Sequence, residues 1–112
     1  MSCSVFTSPV FDREFKRLAK RYKSLSSDFA RLVESIKANP IQGDDLGDGL
    51  RKIRMSVTSK GKGKSGGARV ITYNVVTQVD DQQVLMLIIY DKSERASISK
   101  REILAMKHML GV

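Results

Sequence analysis

The sequence predicts one small α+β domain whose elements run strand, helix, helix, strand, strand, strand, helix. Three observations predict it. Two apolar stripes at helical spacing lie between Phe11 and Ile36 and are separated by a short polar link. From Leu50 the apolar period drops to two, as in half-buried strands. A capping box at Ser99 then opens a final amphipathic segment. The 112 residues fit one domain, spanning 1–112. A chain of this size buries roughly 65% of its unfolded surface, enough for a core without disulfide or metal staples.

Residues 2–7 alternate, with Cys3 and Val5 on one side, and read as a first strand. Ser8 is an N-cap and Pro9 suits the first helical position, because its missing N–H would be unpaired there anyway. Phe11, Phe15, Leu18, Ala19 and Tyr22 form the stripe of the first helix. Phe29, Leu32, Val33 and Ile36 form that of the second, which Asn39-Pro40 closes. The link Lys23–Ser27 is short enough to make the pair an antiparallel hairpin. Ile41–Gly49 reads as a loop, rich in Gly and Asp. In the next strand Ile53, Met55 and Val57 share one face, and Lys52, Arg54 and Ser56 the other. Thr58–Gly67 is a long glycine-rich connection, Ala68–Val76 a strand, and Asp80-Asp81 a turn. Val84–Tyr90 is continuously apolar and suits a central strand buried on both faces. In the last helix Ser99 and Glu102 form the capping box, and Ile98 with Ile103 the hydrophobic staple. Met106 and Leu110 continue its stripe, and Gly111 follows its end.

Charge is the strongest functional signal. The net charge is +8, and no acidic residue occurs between Asp48 and Asp80. That span holds Arg51, Lys52, Arg54, Lys60, Lys62, Lys64 and Arg69 among glycines and small hydroxyl residues. Such crowding repels itself unless a polyanion neutralises it. Phosphate is the natural partner, since glycine lets backbone N–H groups come close while Lys and Arg supply charge. The exposed basic faces of the two helices read as solvated surface. The single cysteine excludes an internal disulfide, and the single histidine excludes a His-based metal cluster. Cys3 reads as a small core residue and His108 as packed or solvent-facing. The longest apolar run is too short to span a bilayer, and the N-terminus has no signal-peptide pattern, which points to a soluble, cytoplasmic domain.

Strand pairing suggests which cations meet. If Asp80 and Asp81 centre a turn, paired positions in the last two strands sum to about 161. Arg69 then faces the Tyr90–Lys92 end of the last strand. Pairing Val57 with Ala68 sets Arg69 opposite Ser56 and diagonal to Arg54. Arg54, Arg69, Tyr90 and Lys92 thus converge on one end of the sheet, beside the Lys60/Lys62/Lys64 loop. A cation pocket with a tyrosine suits chemistry on a phosphodiester. Arg offers a planar fork, Lys a mobile charge, and both stabilise a phosphorane-like transition state. Crowded cations also lower a lysine's pKa, making one lysine a candidate proton acceptor. In RNA the 2′-hydroxyl is an internal nucleophile, so no metal or protein nucleophile is required. Tyr90 is placed to stack on a base or orient a phosphate. The string GKGKS does not make a P-loop, because Thr58 stands where that motif needs glycine.

Taken in order, FDREFKRLAKRY, the KIR strand, GKGKSGGARV, LIIYDKSER and SISKREI resemble the RelE/ParE toxin superfamily, most nearly its HigB-like, RelE-type branch. The resemblance implies a helix hairpin packed on a mostly antiparallel sheet and a toxin of a type II toxin–antitoxin module. It implies cleavage of mRNA in the ribosomal A site without metal or cofactor, by in-line 2′-hydroxyl attack that leaves a 2′,3′-cyclic phosphate. By position, Arg69 resembles the strand arginine that contacts the scissile phosphate. Lys92 resembles the basic residue that assists the leaving group or phosphate. Arg54, Lys62 and Lys64 resemble residues that position RNA, one of them serving as proton acceptor. Lys52, Lys60 and Arg95 join them as RNA contacts, and Tyr90 joins the catalytic set. The implied partners are a co-encoded antitoxin of helix-turn-helix type, the mRNA and ribosome, and operator DNA through the antitoxin only, with no membrane. A ParE-like gyrase inhibitor on the same fold, or a non-catalytic nucleic-acid-binding module, are the alternative functions.

Overall fold

The computed structural model describes residues 2–61, 63–78 and 81–112, with residues 2 and 76–78 in backbone alone. Lys62, expected to contact RNA, and Asp80, expected in a turn, lie outside the described residues. The elements are β1 (Ser2–Thr7), α1 (Pro9–Arg21), α2 (Leu25–Ala38), β2 (Asp44–Gly47), β3 (Leu50–Met55), a 3-10 turn (Thr58–Lys60), β4 (Ala68–Gln78), β5 (Asp81–Asp91) and α3 (Lys100–Met109). The strands form one sheet in the order β1-β5-β4-β3-β2. β1 runs parallel to β5, and the other neighbours are antiparallel. The expected α+β order is present, with one strand added.

The added strand is β2, inside the segment expected to be a loop. Asp48 and Gly49 both have positive φ, 56° and 79°, and Gly47 pairs with Leu50 across them. Two consecutive left-handed residues make the two-residue turn whose twist matches a hairpin, for which Asp-Gly is a preferred sequence. Asp81, expected in the turn, instead opens β5 and pairs with Gln78.

The sheet is covered on both faces, which explains the unbroken apolar run of β5. On one side α1 and α2 bury Phe11, Leu18, Leu25, Leu32 and Ile36 against Ile53, Met55, Val70, Val84, Met86 and Ile89. On the other, α3 sets Ile103, Met106 and Leu110 against Leu50, Ile71, Leu87, Ile88 and Tyr90. A bulge reconciles the two layers. Pairing jumps from Ile71–Ile88 to Thr72–Met86, so Leu87 is extra and joins Ile88 on the α3 side. The Ser8 hydroxyl fastens this bulge, accepting from the Phe11 amide at 3.0 Å as an N-cap while donating to the Leu87 carbonyl at 2.7 Å. At α3, Ser99 caps the Glu102 amide at 3.1 Å, as its sequence predicts.

Candidate functional site

Arg54, Arg69 and Tyr90 form one row across β3, β4 and β5, with Arg54 paired to Arg69 and Arg69 to Tyr90. The sequence-based register set Arg69 opposite Ser56 and facing the Tyr90–Lys92 end. Tyr90 lies at that end, whereas Arg54 replaces Ser56 as the β3 partner, a shift of two residues. Because side chains alternate with period two, a two-residue slip changes partners but keeps the face. The row therefore lies on the α3 side of the sheet and is tighter than expected, with adjacent strands about 4.8 Å apart.

The three members are not equally accessible. Arg54 is exposed, whereas Arg69 and Tyr90 retain only 6% and 5% of their surface. The Arg69 guanidinium donates from Nη1 to the carbonyls of Lys64 (2.9 Å) and Ala68 (3.2 Å), and from Nη2 to that of Ser65 (3.2 Å). The arginine expected to hold a phosphate thus first holds the backbone of the basic loop. Its Nε–H and one Nη2 hydrogen have no partner among the described residues. Tyr90 packs with Leu50, Ile71, Ile88 and Ile103. Burial pushes its phenol above the usual tyrosine range, and the charges of Arg69 and Arg95 pull it only part of the way back. At neutral pH it is a protonated hydroxyl, able to donate but not to act as a base.

Lys64 is exposed, and its side chain reaches the β3 edge. Two shallow clefts there share Gln42, Arg54 and Lys64. One is also lined by Asp28, Arg31 and Ser56, the other by Lys52, Gly43 and Asp44. These cations and the phenol can gather negative oxygens and supply a proton donor, which is what charge development on a phosphodiester requires.

A family model described as the RelE toxin of the RelE / RelB toxin–antitoxin system matches residues 9–111, from α1 through α3. The chain belongs to the RelE toxin family. It is thus a toxin of the RelE/ParE superfamily, type II, for which the family implies a cognate antitoxin. RelE-family toxins are generally endoribonucleases. No helix among the described residues is long and apolar enough to cross a membrane.

In this RelE-family toxin three expected site residues sit apart from the row. Lys60, expected to bind RNA, has a side chain only 5% exposed and pairs with Asp91 on the opposite, hairpin-facing side. Its Nζ also donates to Ser93 Oγ at 2.8 Å. Lys60 is a structural cation. Lys92 follows the last residue of β5, so strand alternation no longer aims it, and its ammonium bonds the Ala96 carbonyl. Arg95 pairs with Glu102 and donates to the Ser97 carbonyl at 2.9 Å, joining α3 to the turn while adding positive field at Tyr90.

Two carboxylates escaped the sequence reading. Asp91, 1% exposed, accepts from Tyr22 Oη and Lys60 Nζ at 2.5 Å each and from the Ser93 amide at 2.9 Å. Burial raises its carboxyl, but the bonds from Lys60, Tyr22 and Ser93 outweigh that and bring it down to about 2. Asp28, 4% exposed, accepts from the Thr58 amide (2.9 Å), Thr58 Oγ1 (2.6 Å) and Ser24 Oγ (2.7 Å). Its carboxyl is likewise lowered, those bonds and Arg31 overcoming burial. Together they pin both ends of the Thr58–Lys60 turn. The long glycine-rich connection is therefore rooted in the core on one side and held by Arg69 on the other. A lone acid ending the apolar run IIYD was the available signal for Asp91.

Proposed function

We propose that this RelE-family toxin is a HigB-like, ribosome-dependent mRNA endoribonuclease that stops translation by cutting mRNA in the ribosomal A site. The observation that carries this reading is the row Arg54–Arg69–Tyr90 beside the exposed Lys64. The mRNA supplies the nucleophile. Its 2′-oxygen bonds to phosphorus as the P–O5′ bond breaks, leaving a 2′,3′-cyclic phosphate and a 5′-hydroxyl. The 2′-oxygen loses a proton, and the departing O5′ gains one. Arg54 and Lys64 meet the non-bridging oxygens, and the remaining Arg69 donors reach the same phosphate. Lys64 supplies charge, water takes the 2′ proton, and the Tyr90 hydroxyl orients the phosphate, its ring being packed against α3. Lys92 lies at the margin, nearest the leaving group. Lys52, Lys62 and Arg95 act on flanking phosphates. With an internal nucleophile and cations for the developing charge, this scheme calls on no metal or cofactor. A helix-turn-helix antitoxin covers the basic surface in the cytoplasm and alone carries the toxin to operator DNA.

The test is cleavage of mRNA on purified programmed ribosomes. The expected product carries a 2′,3′-cyclic phosphate, and Arg54→Gln slows the reaction roughly 100-fold, the usual cost of one transition-state donor. Unchanged cleavage by Arg54→Gln overturns the role of the row.

A further inference from the structure

We infer that the cleft between β3 and α2 is a second phosphate subsite, in which Arg31 clamps an RNA phosphodiester next to the one held at the row. This rests on the endoribonuclease reading and extends it off the sheet. Arg31 lines the cleft together with Arg54, Lys64 and Ser56. Arg54 belongs to both the row and the cleft, so an RNA strand leaving the row over the β3 edge enters the cleft directly.

Three features make this a phosphate site. The guanidinium of Arg31 is pinned from behind and open in front. Its Nη2 bonds Asp28 and, at 3.3 Å, Thr58 Oγ1, while 66% of the side chain stays exposed. Nε–H and both Nη1 hydrogens have no partner among the described residues, leaving donors for single charge-assisted bonds to phosphate oxygens. Asp28, which also accepts from Ser24 and twice from Thr58, balances only one positive charge of the cleft. Arg54 and Lys64 have no side-chain ion pair among the described residues, so the cleft carries three cations against one carboxylate. Finally, it has room for about 200 Å³ and no aromatic lining residue. That is below the roughly 300 Å³ at which small-molecule pockets begin, and it lacks a ring to stack a base. The size and lining suit one sugar-phosphate unit.

The probe is a single-stranded RNA ten-mer with 2′-O-methyl riboses, which has no internal nucleophile. Its affinity is measured against salt for the full chain, for Arg31→Gln, for Arg31→Lys, for Arg54→Gln, and for Lys16→Gln on the exposed side of α1. Each phosphate contact in a single strand contributes about 0.7 to the slope of log K against log salt. Arg31→Gln is expected to lower the slope by about 0.7 and affinity several-fold. Arg31→Lys should recover the slope but not the full affinity, and Lys16→Gln should change neither. An unchanged slope in Arg31→Gln, with a reduced one in Arg54→Gln, overturns the subsite and leaves the row standing. Equal losses in Arg31→Gln and Lys16→Gln overturn it too, since net charge then explains both. A full chain with no salt-dependent binding overturns the subsite, whereas the endoribonuclease reading falls only with loss of cleavage on programmed ribosomes.

Discussion

Arg69 is buried beside a second arginine and a tyrosine, and the charge is met by carbonyl oxygens of residues 64, 65 and 68. Charge-assisted bonds in such a place are worth about 1.5–3 kcal/mol each, less what water recovers when they break. Arg69→Ala should therefore cost about 2–3 kcal/mol in urea unfolding as well as activity. Arg69→Lys keeps the charge but cannot fork to three carbonyls, so amides of residues 63–67 should exchange faster by NMR. Asp91 supplies a second residue-scale expectation. Its carboxyl falls from an ordinary 3.8 to about 2 in the folded chain. A depressed carboxyl stabilises above its unfolded pKa and loses that contribution as pH falls through the folded one. About 2 kcal/mol should thus disappear between pH 4 and pH 2. Asp91→Asn, which strands Lys60, should cost about 3–5 kcal/mol at pH 7 and flatten that acid limb, as urea midpoints at several pH values would show.

Among the elements, the turns decide how well the site is held. A Cβ on Gly67 would sit 2.1 Å from the Met55 carbonyl oxygen, so Gly67→Ala must push β3 and β4 apart next to Arg54 and Arg69. At Gly61, with φ of 69°, nothing lies within 4 Å, so alanine there meets backbone strain alone, about 1 kcal/mol. Thermal melts should rank Gly67→Ala well below Gly61→Ala, and only the former should lose RNA affinity. The same scale shows what was legible from sequence. The Ser8-Pro9 and Ser99–Glu102 starts were readable because a cap is a local bond within four residues. β2 was missed because Asp-rich composition outweighed the Asp48-Gly49 turn signal. The β3–β4 register was off by two because that connection depends on packing from both layers, which no local pattern records, and the β4–β5 pairing is set where Gln78 meets Asp81, one step before the expected turn.

Across the whole molecule, the helix hairpin takes one face of the sheet and α3 only part of the other, leaving the row and the β3 edge to carry exposed charge from a chain of net +8. The face of Arg54, Arg69 and Tyr90 was legible, because alternation survives an even slip. The fate of individual cations was not. Lys60 and Lys64 look alike in KGKGK, yet one is sealed against Asp91 and the other is free at the surface. Only the fold separates them, because the partner carboxylate lies 31 residues away. Lys60→Gln should accordingly reduce stability more than RNA affinity, and Lys64→Gln the reverse, in paired unfolding and binding measurements. The central claim is that this toxin cuts translated mRNA through the row, and primer extension on cellular mRNA after brief expression tests it most directly. The account predicts new 5′ ends at fixed codon positions, lost in Arg54→Gln. Intact mRNA accompanied by chromosomal DNA breaks would contradict it.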